Sequence, residues 1–89
     1  MKAVVTVTGK DKKGIIAKVS AFLAEKGINI VDISQTILDE YFAMIMLVEL
    51  DGMKGSFADF AGEMKKSGES HGVDIHVMHE DIFNSMHKI

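Results

Sequence analysis

A chain of 89 residues, 47% apolar and 26% charged, reads as one small folded domain rather than a disordered segment. A formal net charge of −3 argues against a general nucleic-acid binder, which needs a basic surface to release counterions. The absence of cysteine excludes disulfides, thiolate metal sites and cysteine nucleophiles. The longest unbroken apolar run, Phe42 to Val48, is too short to cross a bilayer. Thr6 and Thr8 interrupt any apolar stretch after Lys2, so no signal peptide is read and a cytoplasmic protein is the expectation. A domain this small buries only about 60–70% of its unfolded surface, so a partner subunit would help it.

Lys2 to Thr8, KAVVTVT, alternates with β-branched residues and predicts a strand with Ala3, Val5 and Val7 inward. After Gly14 the period becomes helical. Ile15, Ile16, Val19, Phe22 and Leu23 form one stripe to bury against a sheet, and Ala17, Ala21 and Ala24 make the opposite side small. Gly27 is placed to end that helix in a left-handed conformation. INIVDISQTIL predicts the second strand, but Ile28 and Ile30 have one parity and Ile33 and Ile37 the other, which predicts a bulge near Val31-Asp32. Asp39-Glu40 predicts a tight hairpin. The third strand, YFAMIMLVEL, is apolar on both faces, which implies that neither face is fully wet and points beyond a two-layer monomer.

Ser56-Phe57-Ala58-Asp59 has the form of a capping box. Phe57, Phe60, Ala61, Met64 and Gly68 then give a helical stripe, with Gly68 marking close backbone approach. Gly72 ends the helix, VDIHVM predicts the fourth strand, and Glu80 to Ile89 predicts a short helix with Ile82, Phe83, Met86 and Ile89 on one side. The first helix ends Lys-Gly27-Ile28-Asn29-Ile30 and the second His-Gly72-Val73-Asp74-Ile75. Two such units joined by a hairpin interleave as β-α-β-β-α-β, an α+β ferredoxin-like sandwich with two helices on one face of a four-stranded antiparallel sheet. Residues 1–89 are read as a single domain, with 80–89 as its C-terminal helical extension.

Gly9-x-Asp11-x-x-Gly14-Ile15-Ile16-Ala17, followed by Gly27-Ile28-Asn29-Ile30, resembles the ACT domain family, and the ending HEDIFNSMHKI is similar to that of small stand-alone ACT proteins of bacteria and archaea. The resemblance implies a regulatory sensor of small ligands, most often amino acids. It implies side-by-side homodimers, or larger assemblies, with a continuous eight-stranded sheet. It also implies a site between the strand-one to helix-one turn of one subunit and strand two of its neighbour. By position these residues are Asp11, Gly14 and Ile15 from the turn and Asn29 from the neighbouring strand. Serine-binding relatives carry asparagine where this chain has Asp11 and histidine where it has Gly9, so the ligand class stays open.

These residue types suit that chemistry. Gly14 would admit a ligand to the free N–H groups of the helix N-terminus, where the dipole favours a carboxylate. Asp11 could take an ammonium, the Asn29 amide could serve either group, and Lys10, Lys12 and Lys13 would raise the local positive potential. The alternative is that Asp11 caps the helix, the lysines are solvated and Asn29 satisfies backbone. Among four histidines, His76 and His79 should point to opposite faces of a strand and His71 suits a helix C-terminus, so no metal site is expected. Most of the seven methionines suit core or dimer packing. No nucleophile-base pairing, Walker loop or GxGxxG is present, so neither catalysis nor a cofactor is expected. An RNA-binding reading lacks stacking aromatics on strand one and a basic face. The expectation is a non-enzymatic sensor, dimeric or larger, signalling to a partner protein, with no nucleic acid or membrane involved. The alternative is a ligand-free protein-interaction or oligomerisation module, and a metal-binding regulator comes third.

Overall fold

The computed structural model describes residues 1–10 and 14–86. Along the chain run β1 (Lys2–Gly9), α1 (Ile15–Glu25), β2 (Asn29–Leu38), β3 (Tyr41–Glu49), α2 (Phe57–Ser70), β4 (Asp74–His79) and α3 (Glu80–Met86). The strands form one sheet in the order β2-β3-β1-β4, antiparallel at every neighbouring pair, which is the ferredoxin-like topology. β4 begins and ends one residue later than alternation alone suggests.

Period-two alternation sorts each strand into a core side and an open side. Ala3, Val5 and Val7 of β1 join Phe42, Met44, Met46 and Val48 of β3 on the core side. The stripe of α1 (Ile15, Val19, Leu23) and that of α2 (Phe60, Met64) close over them, so both helices cover one face. Lys26 Nζ meets the Glu63 carboxylate at 2.5 Å, tying the end of α1 to α2. The short α3 lies against β1 and β4. Val4 is buried although its parity turns it away from α1 and α2.

The bulge in β2 is present. Pairing with β3 slips between Ile30 and Asp32, leaving Val31 as the extra residue. Beyond it Ile33 pairs with Met46 and Ile37 with Phe42, so both isoleucines return to the core side that Ile30 shares with Val48. The β2–β3 loop is the two residues Asp39-Glu40, with Asp39 at a φ of 55°. β3 is apolar on both faces, but its open side is partly wet in the protomer, where Tyr41 and Ile45 are exposed and Ala43 and Leu47 half-buried.

The repeated Gly-apolar-Asx-Ile phrase produces the same helix ending twice. Ile28 N–H donates to Leu23 C=O at 2.9 Å and Gly27 N–H to Ala24 C=O at 3.1 Å. Val73 N–H likewise donates to Gly68 C=O at 2.9 Å and Gly72 N–H to Glu69 C=O at 3.3 Å. Both are Schellman endings, and both glycines hold the positive φ that the motif requires (76° and 72°). At the start of α2, Asp59 N–H donates to Ser56 Oγ at 3.1 Å, the serine half of the capping box.

Candidate functional site

The turn between β1 and α1 ends at Gly14, which holds φ 74° and ψ −6° as the first residue of the helix boundary. A side chain there would be strained, and among the described residues a Cβ would meet no atom within 4 Å. Ile15 comes next with its side chain in the core, 4% exposed, so what it can offer a ligand is its backbone N–H. Asp11, together with Lys12 and Lys13, lies outside the described residues.

Asn29 is exposed at the opposite end of the sheet. It pairs with Glu49, which pairs with Lys2 at the start of β1, whereas Gly9 at the end of β1 pairs with Phe42. At about 3.3 Å per residue, that separation is roughly 20 Å. The protomer therefore does not bring Asn29 to Gly14. Gly9, the position occupied by histidine in serine-binding relatives, faces Val73, whose Cγ1 would stand 2.6 Å from an added Cβ.

Two surface features stand out, one along the β2 edge and one at the Gly9 end. The first is the β2 edge. Every residue from 31 to 40 is exposed, and on it Val31, Ile33, Ile37 and Leu38 present apolar side chains to solvent. An edge strand of this length and character is a template for pairing with another chain.

The second is an open cleft of about 840 Å³ where the β2–β3 hairpin, the end of β1 and the α2–β4 turn meet. One row across the open side of the sheet, Thr36, Ala43, Thr8 and Asp74, lies along it, each residue registered with the next on four adjacent strands. Leu38 and Tyr41 line its β2 end, and Lys10 lines it with its Nζ 5.4 Å from the centroid of the Tyr41 ring. Glu69 and Gly72 line the α2 side. Sequence alone places Lys10 among three loop lysines and gives Tyr41 and Asp74 no site role. The usable signal is parity: the alternation that sends Val5 and Val7 inward leaves Thr6 and Thr8 outward, on the side shared by Ser34 and Thr36.

The histidines stay apart. His76 registers with Thr6 on the open side and His79 with Ala3 on the core side, where its ring lies 6.5 Å from that of Phe57. His79 Nδ1 accepts from the Asp81 N–H at 3.1 Å. His71 stands at the α2 C-terminus with Nδ1 2.7 Å from the Ser67 carbonyl, where it meets one of the last unpaired C=O groups. Among the described residues no group of three or more histidines and carboxylates is placed to hold a metal. No described helix is long and apolar enough to cross a membrane.

A βαββαβ sandwich with β2 and β4 at the edges of its sheet defines a small α+β module of the ferredoxin-like kind. The sequence profile of the ACT domain matches residues 2–78, and the chain belongs to the ACT domain family. It is 52% identical over 88 residues to a UPF0237 protein of Methanocaldococcus jannaschii, covering 99% of this chain and 98% of that one. It is 54% identical over 89 residues to a UPF0237 protein of Clostridium acetobutylicum, covering all of both. Among solved structures, an ACT domain protein from Streptococcus pneumoniae superposes with a TM-score of 0.83 at 47% identity over 98% of each chain. A formyltetrahydrofolate deformylase from Pseudomonas syringae pv. tomato superposes with a TM-score of 0.78 at 23% identity, over 88% of this chain and 27% of that one, which shows a shared fold alone. ACT domains are generally small-molecule-sensing regulatory modules, a regulatory rather than a catalytic domain type.

Proposed function

We propose that this chain senses an amino acid or similar metabolite as a homodimer and signals its occupancy to a partner protein. The observation that carries this reading is the β2 edge, ten residues long and lined by exposed Val31, Ile33, Ile37 and Leu38. Pairing two such edges antiparallel about a twofold axis covers those side chains and makes one eight-stranded sheet. The geometry of the pairing also resolves the separation of the site residues. Asn29 and Leu38 are the two ends of β2, equidistant from its midpoint between Ile33 and Ser34. A twofold axis near that midpoint lays Asn29 of the partner subunit beside the Leu38 end, the end at which β1 turns toward Gly14. The ligand then lies between the β1–α1 turn of one protomer and β2 of the other, with its carboxylate at the α1 N-terminus and an amide from Asn29 of the partner subunit. Asp11, in the same turn, is proposed to take the ligand's ammonium. Binding favours one subunit arrangement, and the partner protein reads it.

The test combines sedimentation with thermal-shift screening against the twenty amino acids, because a ligand that binds only the folded state raises the unfolding midpoint. A dimer at micromolar concentration and a shift that Asn29→Ala and Asp11→Ala each diminish are expected. A monomer removes the interfacial site. A second reading, a ligand-free oligomerisation module, is favoured by one observation: Ile15 is committed to the core, so its side chain is not available to a ligand. That reading expects the dimer and no shift with any amino acid.

A further inference from the structure

We propose that the open side of the sheet docks a second copy of this chain face to face, the α3 of each copy lying on the half of the other's sheet that no helix covers. This contact goes beyond the β2 pairing proposed above and uses other residues.

The open side is covered unevenly. Val4 of β1 points away from α1 and α2, yet it is 6% exposed. Its cross-strand neighbours on that side are Met78 of β4, half-buried, and Leu47 of β3. Helix α3 lies against both β1 and β4 and adds no residue to the core, so it covers the β1–β4 half. The β2–β3 half has no such cover among the described residues: Ile45 is 44% exposed, and Ser34, registered with it on β2, is exposed too. Helix α3 is itself unfinished. Ile82 and Met86, four apart and so on one face, are 55% and 64% exposed.

The bare half and the bare helix face complement each other. The centres of the two halves are two strand spacings apart, about 9.6 Å, and packed helices stand about 8–10 Å apart. A twofold axis along the β3–β1 boundary therefore seats the second copy's α3 over β3, side by side with the first. Ile82 and Met86 then leave water against Ile45 and Leu47 of the partner subunit, and the same contact repeats in reverse. The chemistry of the face agrees. Between Lys2 and Lys10, β1 turns Val4, Thr6 and Thr8 to the open side. Between Tyr41 and Glu49, β3 turns Ala43, Ile45 and Leu47 there, and none of the six is charged. An uncharged centre within a charged rim is the anatomy of a protein–protein contact. The occupant is a copy of this chain because the chain exposes the matching apolar helix beside the strip. With seven residues α3 is about 10 Å long, so the contact buries less than a standard interface and is expected to need concentrations above about 10 μM.

Sedimentation equilibrium of the full chain, from about 10 μM to about 1 mM, tests this. With β2 pairing present, the mean mass is expected to rise beyond two chains. In the double variant Ile33→Lys/Ile37→Lys, which breaks that pairing, a monomer–dimer step is expected to remain. Ile45→Lys and Met86→Glu, at side chains exposed in the protomer, are each expected to weaken this step at least about tenfold and to keep the folded circular-dichroism spectrum. Mixing those two variants is expected to restore it. The mixed pair sets the new lysine against the new glutamate on one side and keeps Ile45 against Met86 on the other. No association beyond the β2 pair, unchanged association in both variants, or a mixture no tighter than its components overturns the proposal. A dimer indifferent to Ile33→Lys/Ile37→Lys but lost in Met86→Glu supports this contact while removing the β2 pairing, so the two failures are told apart.

Discussion

Helix α1 hands over to β2 through Gly27, and helix α2 to β4 through Gly72, with the same pair of backbone hydrogen bonds. The two strands beyond these endings are unlike. β4 is six residues long, with Val73 just before it and Ile75 within it buried, and runs directly into α3, which lies back against it. β2 is ten residues long and exposed at every position from 31 onward. Both are edge strands of the sheet, so the same local ending leads to one edge kept short and backed by a helix and one left available. The difference also reaches the helices. Three residues before the cap, α1 has Leu23, fully buried, whereas α2 has Gly68, where an added Cβ would stand 2.8 Å from Ile75 Cγ1 and from the Val73 carbonyl oxygen. The α2–β4 half is closed at backbone distance; the α1–β2 half is held by side chains and finished by an edge that pairing can complete.

Substitutions can break this contrast from either side. Leu23→Ala removes the side chain that fills the α1 half and is expected to cost about 3 kcal/mol, read from the urea midpoint. Gly68→Val forces apart the close contact of the α2 half and is expected to cost about 2 kcal/mol, with Leu23→Ala remaining the worse of the two. The pair Ile33→Lys and Ile37→Lys sets like charges along the edge. It is expected to weaken self-association at least about tenfold in sedimentation while changing protomer stability by no more than about 0.5 kcal/mol. Unchanged association would show that β2 is not the contact.

The β2–β3 hairpin offers a smaller test. Asp39 occupies a φ of 55°, so Asp39→Gly relieves left-handed strain at the cost of unfolded-chain entropy, and a gain of about 0.5 kcal/mol is expected. The smallest effect is electrostatic, at the other end of the sheet. The amino terminus of Met1 donates to Asp51 at 2.6 Å and to Glu49 at 3.0 Å, and these hydrogen bonds raise its pKa above the usual amine value. The hydrogen bond from the terminal ammonium, with the neighbouring Glu49 carboxyl as a lesser cause, lowers that of Asp51. The amine's contribution is complete below its ordinary pKa and is lost as pH rises through the raised value. The carboxylate's contribution is complete above its ordinary pKa and is lost as pH falls through the lowered value. The unfolding midpoint should therefore fall slightly at both ends of the pH range, and acetylating the amine should abolish the alkaline fall. Both groups are exposed, so salt should diminish the effect.

Much of the fold was legible because its determinants are local. Alternation identified Ala3, Val5 and Val7 as inward. The helical stripes identified Val19, Leu23, Phe60 and Met64. The parity conflict between Ile30 and Ile33 located the bulge, and the two Gly-apolar-Asx-Ile phrases located the two helix endings. The site was legible only in part. Gly14 was read as the glycine beside the helix start, and it stands there with a positive φ. The commitment of Ile15 to the core stems from the same stripe that predicted the helix, but its consequence for a ligand shows only once the core is closed. By itself, then, the sequence determined which residues turn inward and where helices and strands stop, since those choices depend on neighbours two to four positions away. The tertiary structure alone decided that Lys10, Tyr41 and Asp74 share one cleft and that Asn29 stands at the far end of the sheet. Those are outcomes of strand order and register, which bring together residues far apart in the chain.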